Sequence, residues 1–112
     1  MQRKILGVWI LLINTLINYA IGENEMAYRV TNILTTTTSN TYASAAEWID
    51  EHGNCGTINP LVTSGSITLA SPTSVRTVKV FASEDDHAAL KAEKEAGPAL
   101  NFTTSDVLKE TI

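Results

Sequence analysis

One stretch, residues 75–97, restricts the possible folds of this chain more than any other. Residues 75–82 read VRTVKVFA, a run rich in β-branched residues that is typical of a strand. Ser83 and the three acidic residues after it are typical of a helix start, because a serine oxygen and negative charge both stabilise the free amides there. Gly97-Pro98 ends the helix. The stretch therefore predicts a strand joined directly to a helix.

The segments before this stretch predict a strand and another helix. Residues 27–35 alternate between apolar and polar side chains for most of their length, which indicates a strand. Residues 41–52 carry apolar side chains at helical spacing, and Gly53 is placed to end that helix in a left-handed conformation. The predicted buried stripe of this helix consists of Tyr42, Ala45, Ala46 and Ile49, with Trp48 beside it.

Residues 57–70 predict strand structure at the edge of a sheet. Pro60 cannot donate a backbone hydrogen bond, which restricts it to an edge or a bulge, and Gly65 marks a further turn or bulge. Residues 71–74 suit a tight turn, after which the chain returns antiparallel. At the end of the chain, residues 107–112 favour a fourth strand over a short helix.

The order strand, helix, strand pair, helix, strand predicts an α+β fold over residues 26–112. This order of elements is found in the ferredoxin-like split βαβ arrangement (βαββαβ). In that arrangement an antiparallel sheet carries two helices on one face. The second helix is expected to bury one side against that sheet. Its predicted buried residues are Ala89, Leu90, Ala92 and Ala96.

The other face of such a sheet is a surface for self-association, so we expect a homodimer formed through it. Side chains alternate along the strand at 75–82, which leaves two possible sets on the open face. One set contains Val78 and Val80, and the other contains Thr77 and Phe81. The alternation does not choose between them.

Residues 78–86, VKVFASEDD, carry a resemblance to known proteins. A strand ending in an aromatic residue, a small residue and serine, followed by acids and a helix, resembles the second half of the dimeric ferredoxin-like proteins. That group includes the antibiotic biosynthesis monooxygenases. The pattern is also similar to small uncharacterised proteins of tailed phages. The resemblance covers residues 26–112 and implies the fold and a dimer, but it carries over no catalytic residue.

Charge and cysteine content exclude several classes of function. The net charge is −4, which argues against a nucleic-acid or anionic-membrane partner, because both need a basic surface. Cys55 is the single cysteine of the sequence and cannot form an intrachain disulfide. The sequence has no phosphate-binding glycine loop, zinc-ligand spacing or dinucleotide fingerprint. We therefore predict no cofactor and no metal.

Residues 1–25 admit three interpretations. A basic start, an uncharged apolar run at 5–21 and the small-residue exit Ala20-Ile21-Gly22 are typical of a secretory signal peptide. The run is shorter than the roughly 20 apolar residues of a spanning helix, so an uncleaved anchor is less favoured. Gly22-Glu23 before Met26 also matches a translated ribosome-binding sequence, which would make Met26 the start. If Met26 is the start, the protein is expected to be cytoplasmic, in a host cell or virion. If Met1 is the start, it is expected to be exported or membrane-associated.

Two groups of residues suggest chemistry but have simpler explanations. His52 and Cys55 could pair as base and nucleophile, yet the helix end before Cys55 opposes thiolate formation. The acidic run 84–86 with His87 resembles a hard-metal or acid–base cluster. Successive helical residues point about 100° apart, so a helix cap explains this run better.

The sequence supports three hypotheses about function. The first is a small non-catalytic structural or interaction protein, homodimeric and of phage origin. The second is a small-molecule-binding or cofactor-independent monooxygenase-like protein, with a pocket between helix and sheet. Tyr42, Trp48 and Phe81 are the candidate pocket-lining residues, although core packing is the simpler role for the first two. The third is an exported or membrane-tethered protein, which requires residues 1–25.

Overall fold

Within residues 26–112, four strands and two helices follow one another in the order βαββαβ. The computed structural model describes residues 26–112, so the three interpretations of residues 1–25 lie outside the described part of the chain. The elements are β1 (Tyr28–Thr36), α1 (Ala45–His52), β2 (Val62–Ser71), β3 (Ser74–Phe81), α2 (Glu84–Ala96) and β4 (Phe102–Thr111).

The strands form one sheet in the order β2-β3-β1-β4, with every neighbouring pair antiparallel. β1 and β3 are therefore the central strands, and Val30 lies opposite Lys79 while Leu34 lies opposite Val75. Central strands lie between two neighbours, and both are rich in β-branched residues, which suit such positions. The predicted α+β class with an antiparallel sheet is confirmed.

Both helices lie on the same face of the sheet, as predicted. Trp48 of α1 packs in a cluster with Leu34, whereas Leu90 of α2 packs in a second cluster with Val30. Leu34 and Val30 are an even number of residues apart on β1, so they point to the same side. We call this side the covered face and the other side the open face.

Val78 and Val80 lie on the open face, which decides between the two sets that the sequence left possible. Thr77 and Phe81 are fully buried on the covered face. Val78 is opposite Thr31 of β1, a residue between the covered positions Val30 and Asn32.

The predicted start and buried stripe of the first helix are wrong. The helix begins at Ala45, because Ser44 caps it and accepts a hydrogen bond from the Glu47 amide at 3.3 Å. Glu47 in turn accepts one from the Ala43 amide at 2.8 Å. These reciprocal bonds resemble a capping box and leave Tyr42 outside the helix. Trp48, not Ile49, is the buried residue of α1.

The second helix starts as predicted but buries a different side. Ser83 accepts a hydrogen bond from the Asp86 amide at 3.3 Å, which confirms the cap. The predicted burial of the three alanines, Ala89, Ala92 and Ala96, is wrong, because all are exposed. Leu90 is the one buried residue of α2. It has far more apolar area to bury than an alanine, so the helix turns this side chain to the sheet.

The limits of both edge strands differ from the prediction, because β2 begins at Val62 rather than at residue 57 and β4 begins earlier than residue 107. β2 is at the edge, as expected, but it runs unbroken through Gly65 with irregular pairing near Val62, and Pro60 precedes it. β4 is a strand, as favoured, but it begins at Phe102 rather than at Val107. Its pairing with β1 shifts by one residue, because Val107 is an extra residue between the two partners Asp106 and Leu108.

Candidate functional site

A cleft of about 340 Å³ opens between α2 and the covered face of β1, β3 and β4. We call it the α2 cleft. It exists because α2 contacts the sheet mainly through Leu90, so the helix stands clear of β4. Its size is within the range of small-molecule sites. The apolar part of its lining is Val30, Phe81, Leu90 and Leu100.

His87, in the first turn of α2, forms part of one wall of the cleft. Its ring centroid is 5.3 Å from that of Phe81 and 5.5 Å from that of Tyr28. Burial lowers the pKa of His87, and the positive charges of Lys109 and Lys91 lower it further. The imidazole is therefore neutral at neutral pH and can accept or donate a hydrogen bond.

Lys79 is the most deeply buried charged residue of the cleft, with only 3% of its surface exposed. It lies on central strand β3, where its side chain points to the covered face. Burial first, and then the positive charge of Lys94, lower the pKa of Lys79 from 10.5 to about 7, while Cys55 acts in the opposite direction. A lysine with such a pKa is partly neutral near pH 7 and can act as a base or a nucleophile.

The Lys79 amine lies against a glycine in the loop after α1. A Cβ atom on Gly56 would lie 3.5 Å from Lys79 Nζ and 3.7 Å from Leu90 Cδ2. Gly56 also has a φ of +81°, a conformation that a side chain disfavours. The amine is therefore confined between this loop and α2, close to the Lys94 ammonium.

A polar row crosses the floor of the cleft from β1 to β4. Asn32 Nδ2 donates to Asp106 Oδ1 at 2.7 Å, and Lys109 Nζ lies 3.2 Å from Asp106 Oδ2. The hydrogen bond from Lys109 is the main cause that lowers the pKa of Asp106, and the bond from Asn32 adds to it. Because Val107 is an extra residue in β4, Asp106 and Lys109 share the covered face although they are three positions apart.

Positive charge dominates the lining of the cleft. Four lysines face two carboxylates there, in a protein whose net charge is −4. Local charge of this kind attracts an anion, whatever the sign of the whole chain. The charged lining residues are Lys79, Lys91, Lys94, Lys109, Glu95 and Asp106.

His52 and Cys55, the candidate base and nucleophile, each bond to another residue. His52 Nε2 is 2.8 Å from the Tyr42 hydroxyl, and Trp48 Nε1 donates to Cys55 Sγ at 3.3 Å. Among residues 26–112, no hydrogen bond joins His52 to Cys55. We call the group Tyr42, Trp48, His52 and Phe102, whose rings contact one another at α1, the aromatic cluster.

The other predicted site residues do not lie together, because some are near α1 and one is near α2. Phe81 lies in the wall of the α2 cleft, whereas Tyr42 and Trp48 are in the aromatic cluster. Of the acidic run 84–86 and His87, His87 alone contributes to the cleft. No group of three potential metal ligands occurs within the described residues 26–112.

Sequence reasoning missed Lys79 and Asn32 as site residues. Lys79 shares its strand face with Val75, Thr77 and Phe81, and a lysine on an apolar face is the signal that could have found it. Asn32 is buried on the same face of the sheet, on β1 opposite Thr77. Polar groups buried in this way need partners or a function.

Comparison with known proteins finds no matching family model, no matching curated protein and no matching solved structure. The geometry of the α2 cleft is therefore the basis for any functional conclusion. In the part of the chain that the structure describes, neither helix is long and apolar enough to cross a membrane.

Proposed function

We propose that this protein binds a small anionic molecule in the α2 cleft. The observation that carries the proposal is the buried Lys79 amine, which lines an open cleft rather than a packed interface. Among the three hypotheses from the sequence, this is the small-molecule-binding one. It required a space between helix and sheet with a few converging polar groups, as ligand sites usually have.

The lining of the cleft supports a ligand with an apolar body and one acidic group. Phe81, Leu90 and Val30 offer an apolar wall. Lys94 and Lys109 stand at the same opening and supply positive charge and hydrogen-bond donors. A small aromatic carboxylate matches both parts of this lining.

Benzoate and benzamide test this proposal, because they differ in charge and hardly in shape. Each compound is titrated into nitrogen-labelled protein while the backbone amide chemical shifts are followed by NMR. We expect benzoate to shift the signals of Val30, Leu90 and Leu100 in a saturable way, and benzamide to bind at least several-fold more weakly. Equal binding of both compounds, or shifts confined to other surfaces, would contradict an anion site in the cleft.

Two variants that each replace one positive charge by a neutral side chain provide a matched comparison. Lys94→Gln removes a positive charge from the cleft, whereas Arg76→Gln removes one from the open face. We expect benzoate affinity to fall several-fold in the first variant and to stay unchanged in the second. The same loss in both would indicate attraction by net charge alone.

A second candidate function, self-association, is supported by the open face. Ile33 and Val78 lie on its central strands and Leu108 on β4, and together they form an apolar centre. Arg29 pairs with Glu110 at 2.7 Å towards one end, and Arg76 lies towards the other. A two-fold axis that passes through this centre between the stacked sheets, perpendicular to the line from Arg76 to Glu110, would bring Arg76 of one copy towards Glu110 of the other. We therefore propose that a second copy of this chain covers the open face and forms a homodimer.

Sedimentation velocity of the Val80→Asp variant tests this dimer. Val80 is half-buried on the open face, so a carboxylate there should split the dimer while the domain stays folded. Ala92→Asp, on the exposed side of α2, is the control and should leave the dimer intact. A monomeric wild-type protein, or a Val80→Asp variant that remains dimeric, rules out this interface.

A further inference from the structure

Lys79 has the surroundings of a reactive amine. A role for this amine in covalent chemistry rests on the small-molecule site proposed above. The Lys79 side chain lines the cleft yet is almost fully buried, and its amine lies close to Gly56 and the Lys94 ammonium. We propose that Lys79 forms a Schiff base with the carbonyl group of a small aldehyde or keto acid that enters the α2 cleft. This assigns a covalent site and a ligand class, the oxo acids.

The step needs no oxidant, reductant or cofactor. The lone pair of the neutral Lys79 amine attacks the carbonyl carbon, a C–N bond forms, the C=O double bond becomes a single bond, and one amine proton passes to the oxygen to give a neutral carbinolamine. The carbinolamine then loses its hydroxyl group as water when the C=N bond forms. The Lys94 ammonium, next to the amine, can supply the proton that this departing water needs, and it regains a proton from the nitrogen of the resulting iminium ion, which leaves the neutral imine. One amine and one carbonyl thus give one imine and one water.

Burial and the charged or titratable groups around Lys79 together determine how much of the amine is neutral. Lys94 faces it from α2, Cys55 from the loop after α1, and His87 from the first turn of α2. Asp106 and Lys109 of β4 line the other side of the cleft and pair with each other. Burial and the nearby cation both lower the pKa of the amine, which is how proteins activate a nucleophilic lysine.

The class of carbonyl compound follows from the charge around the amine. An aldehyde or ketone without a charged group would gain nothing from Lys91, Lys94 and Lys109. A carboxylate next to the carbonyl can pair with one of these ammonium groups while its carbonyl carbon faces Lys79. Pairing of this kind fixes the orientation and raises the effective concentration of the reacting atoms.

Reductive trapping with glyoxylate tests the proposal. The folded protein is incubated near pH 7 with glyoxylate and cyanoborohydride, which reduces an imine to a stable carboxymethyl-lysine, and the adducts are mapped by peptide mass spectrometry. We expect Lys79 to react about tenfold or more faster than Lys91, Lys94 or Lys109, because burial and the neighbouring cation keep part of its amine neutral at this pH. In urea-unfolded protein the four lysines should react alike.

Two variants and one competitor sharpen the result. Lys79→Arg keeps the charge but cannot form an imine, so the main adduct should disappear. Lys94→Met removes the neighbouring cation, so trapping of Lys79 should move to higher pH. Benzoate, which has no carbonyl group for the amine to attack, should protect Lys79 and leave Lys91 unprotected.

The outcomes separate this inference from the proposed function. If benzoate binds in the cleft but Lys79 in the folded wild-type protein reacts no faster than Lys91, the reactive amine is ruled out and the binding site stands. If benzoate does not bind and Lys79 is not favoured, both proposals fail. Mapping the wild-type protein decides the question even if Lys79→Arg does not fold.

Discussion

The two helices cover the same sheet in different ways. α1 brings Trp48, which is fully buried and stacks on His52 at a centroid distance of 4.2 Å, into contact with Tyr42 and Phe102. α2 is longer by five residues, yet it buries Leu90 alone. The shorter helix thus closes its end of the covered face, and the longer one leaves a cleft.

The difference shows that one end of the covered face is packed by aromatic rings and the other end is left open. Aromatic side chains bury large areas, so one tryptophan anchors α1 more firmly than one leucine anchors α2. Polar groups follow the same division, because Lys79 and Asn32 face the cleft at the α2 end. Substitutions at the two anchors and at the buried lysine test this contrast.

Removing the anchor of α1 should have the largest effect. Trp48→Ala deletes a fully buried ring and should lower the free energy of unfolding by about 3–5 kcal/mol. Urea denaturation followed by far-ultraviolet circular dichroism measures the loss. Ile58→Ala, at a residue that is 79% exposed, is the control and should change little. A small loss for Trp48→Ala would show that the aromatic cluster does not anchor α1.

Replacing the buried lysine should stabilise the protein, in a manner that depends on pH. The pKa of Lys79 is about 7 in the folded protein and near 10.5 in the unfolded chain. The cost of burying the ammonium is fully present below pH 7, and it fades as the pH rises towards 10.5. Lys79→Met should therefore raise the free energy of unfolding by about 2–4 kcal/mol at pH 6, with a smaller gain at pH 9.

Urea titrations of wild type and Lys79→Met at several pH values measure this gain. Lys109→Met is the matched control, because Lys109 is partly exposed and paired with Asp106. Its effect should be small throughout. A gain from Lys79→Met that is constant with pH would contradict the burial of a charged amine.

Truncating the anchor of α2 should cost less than truncating that of α1. Leu90→Ala should lower the free energy of unfolding by about 2 kcal/mol, because a site beside an open cleft leaves little trapped cavity. Hydrogen exchange should also show faster opening of α2 than of α1. A loss equal to that of Trp48→Ala would abolish the contrast between the two helices.

The smallest expected effect concerns the helix caps. Ser83→Ala and Ser44→Ala each remove a side-chain oxygen that accepts an amide hydrogen bond at 3.3 Å. Each should cost about 1 kcal/mol. The loss at Ser83 should increase local hydrogen exchange in α2 more than the loss at Ser44 does in α1, because α2 has the weaker anchor. An unchanged melting curve for Ser83→Ala would contradict the assigned cap.

The sequence predicted the order of elements well, because local signals determine it. The Ser83 cap and the alternation around Val78 each depend only on residues that are close by in the sequence. The buried side of each helix depended on distant side chains, so the stripe through Ile49 was predicted wrongly. The α2 cleft could not be predicted, since it results from how far one leucine brings a helix towards a sheet.

The fourth strand shows the same limit in one residue. Phe102 and Asp106 point to the covered face, and so does Lys109, which breaks a two-residue alternation. A pattern search therefore finds only part of β4. The bulge depends on pairing with β1, which no local sequence pattern reveals.

The extra residue in β4 also determines where this strand can change its length. Val107 is the position that has no partner on β1, so a chain that lacks it would form an uninterrupted ladder with Asp106 and Lys109 still on the covered face. Loss of a residue between Phe102 and Asp106 would instead turn one of them to the opposite side. Deletions in natural variants of this protein should therefore be tolerated at position 107 and rejected a few residues before it.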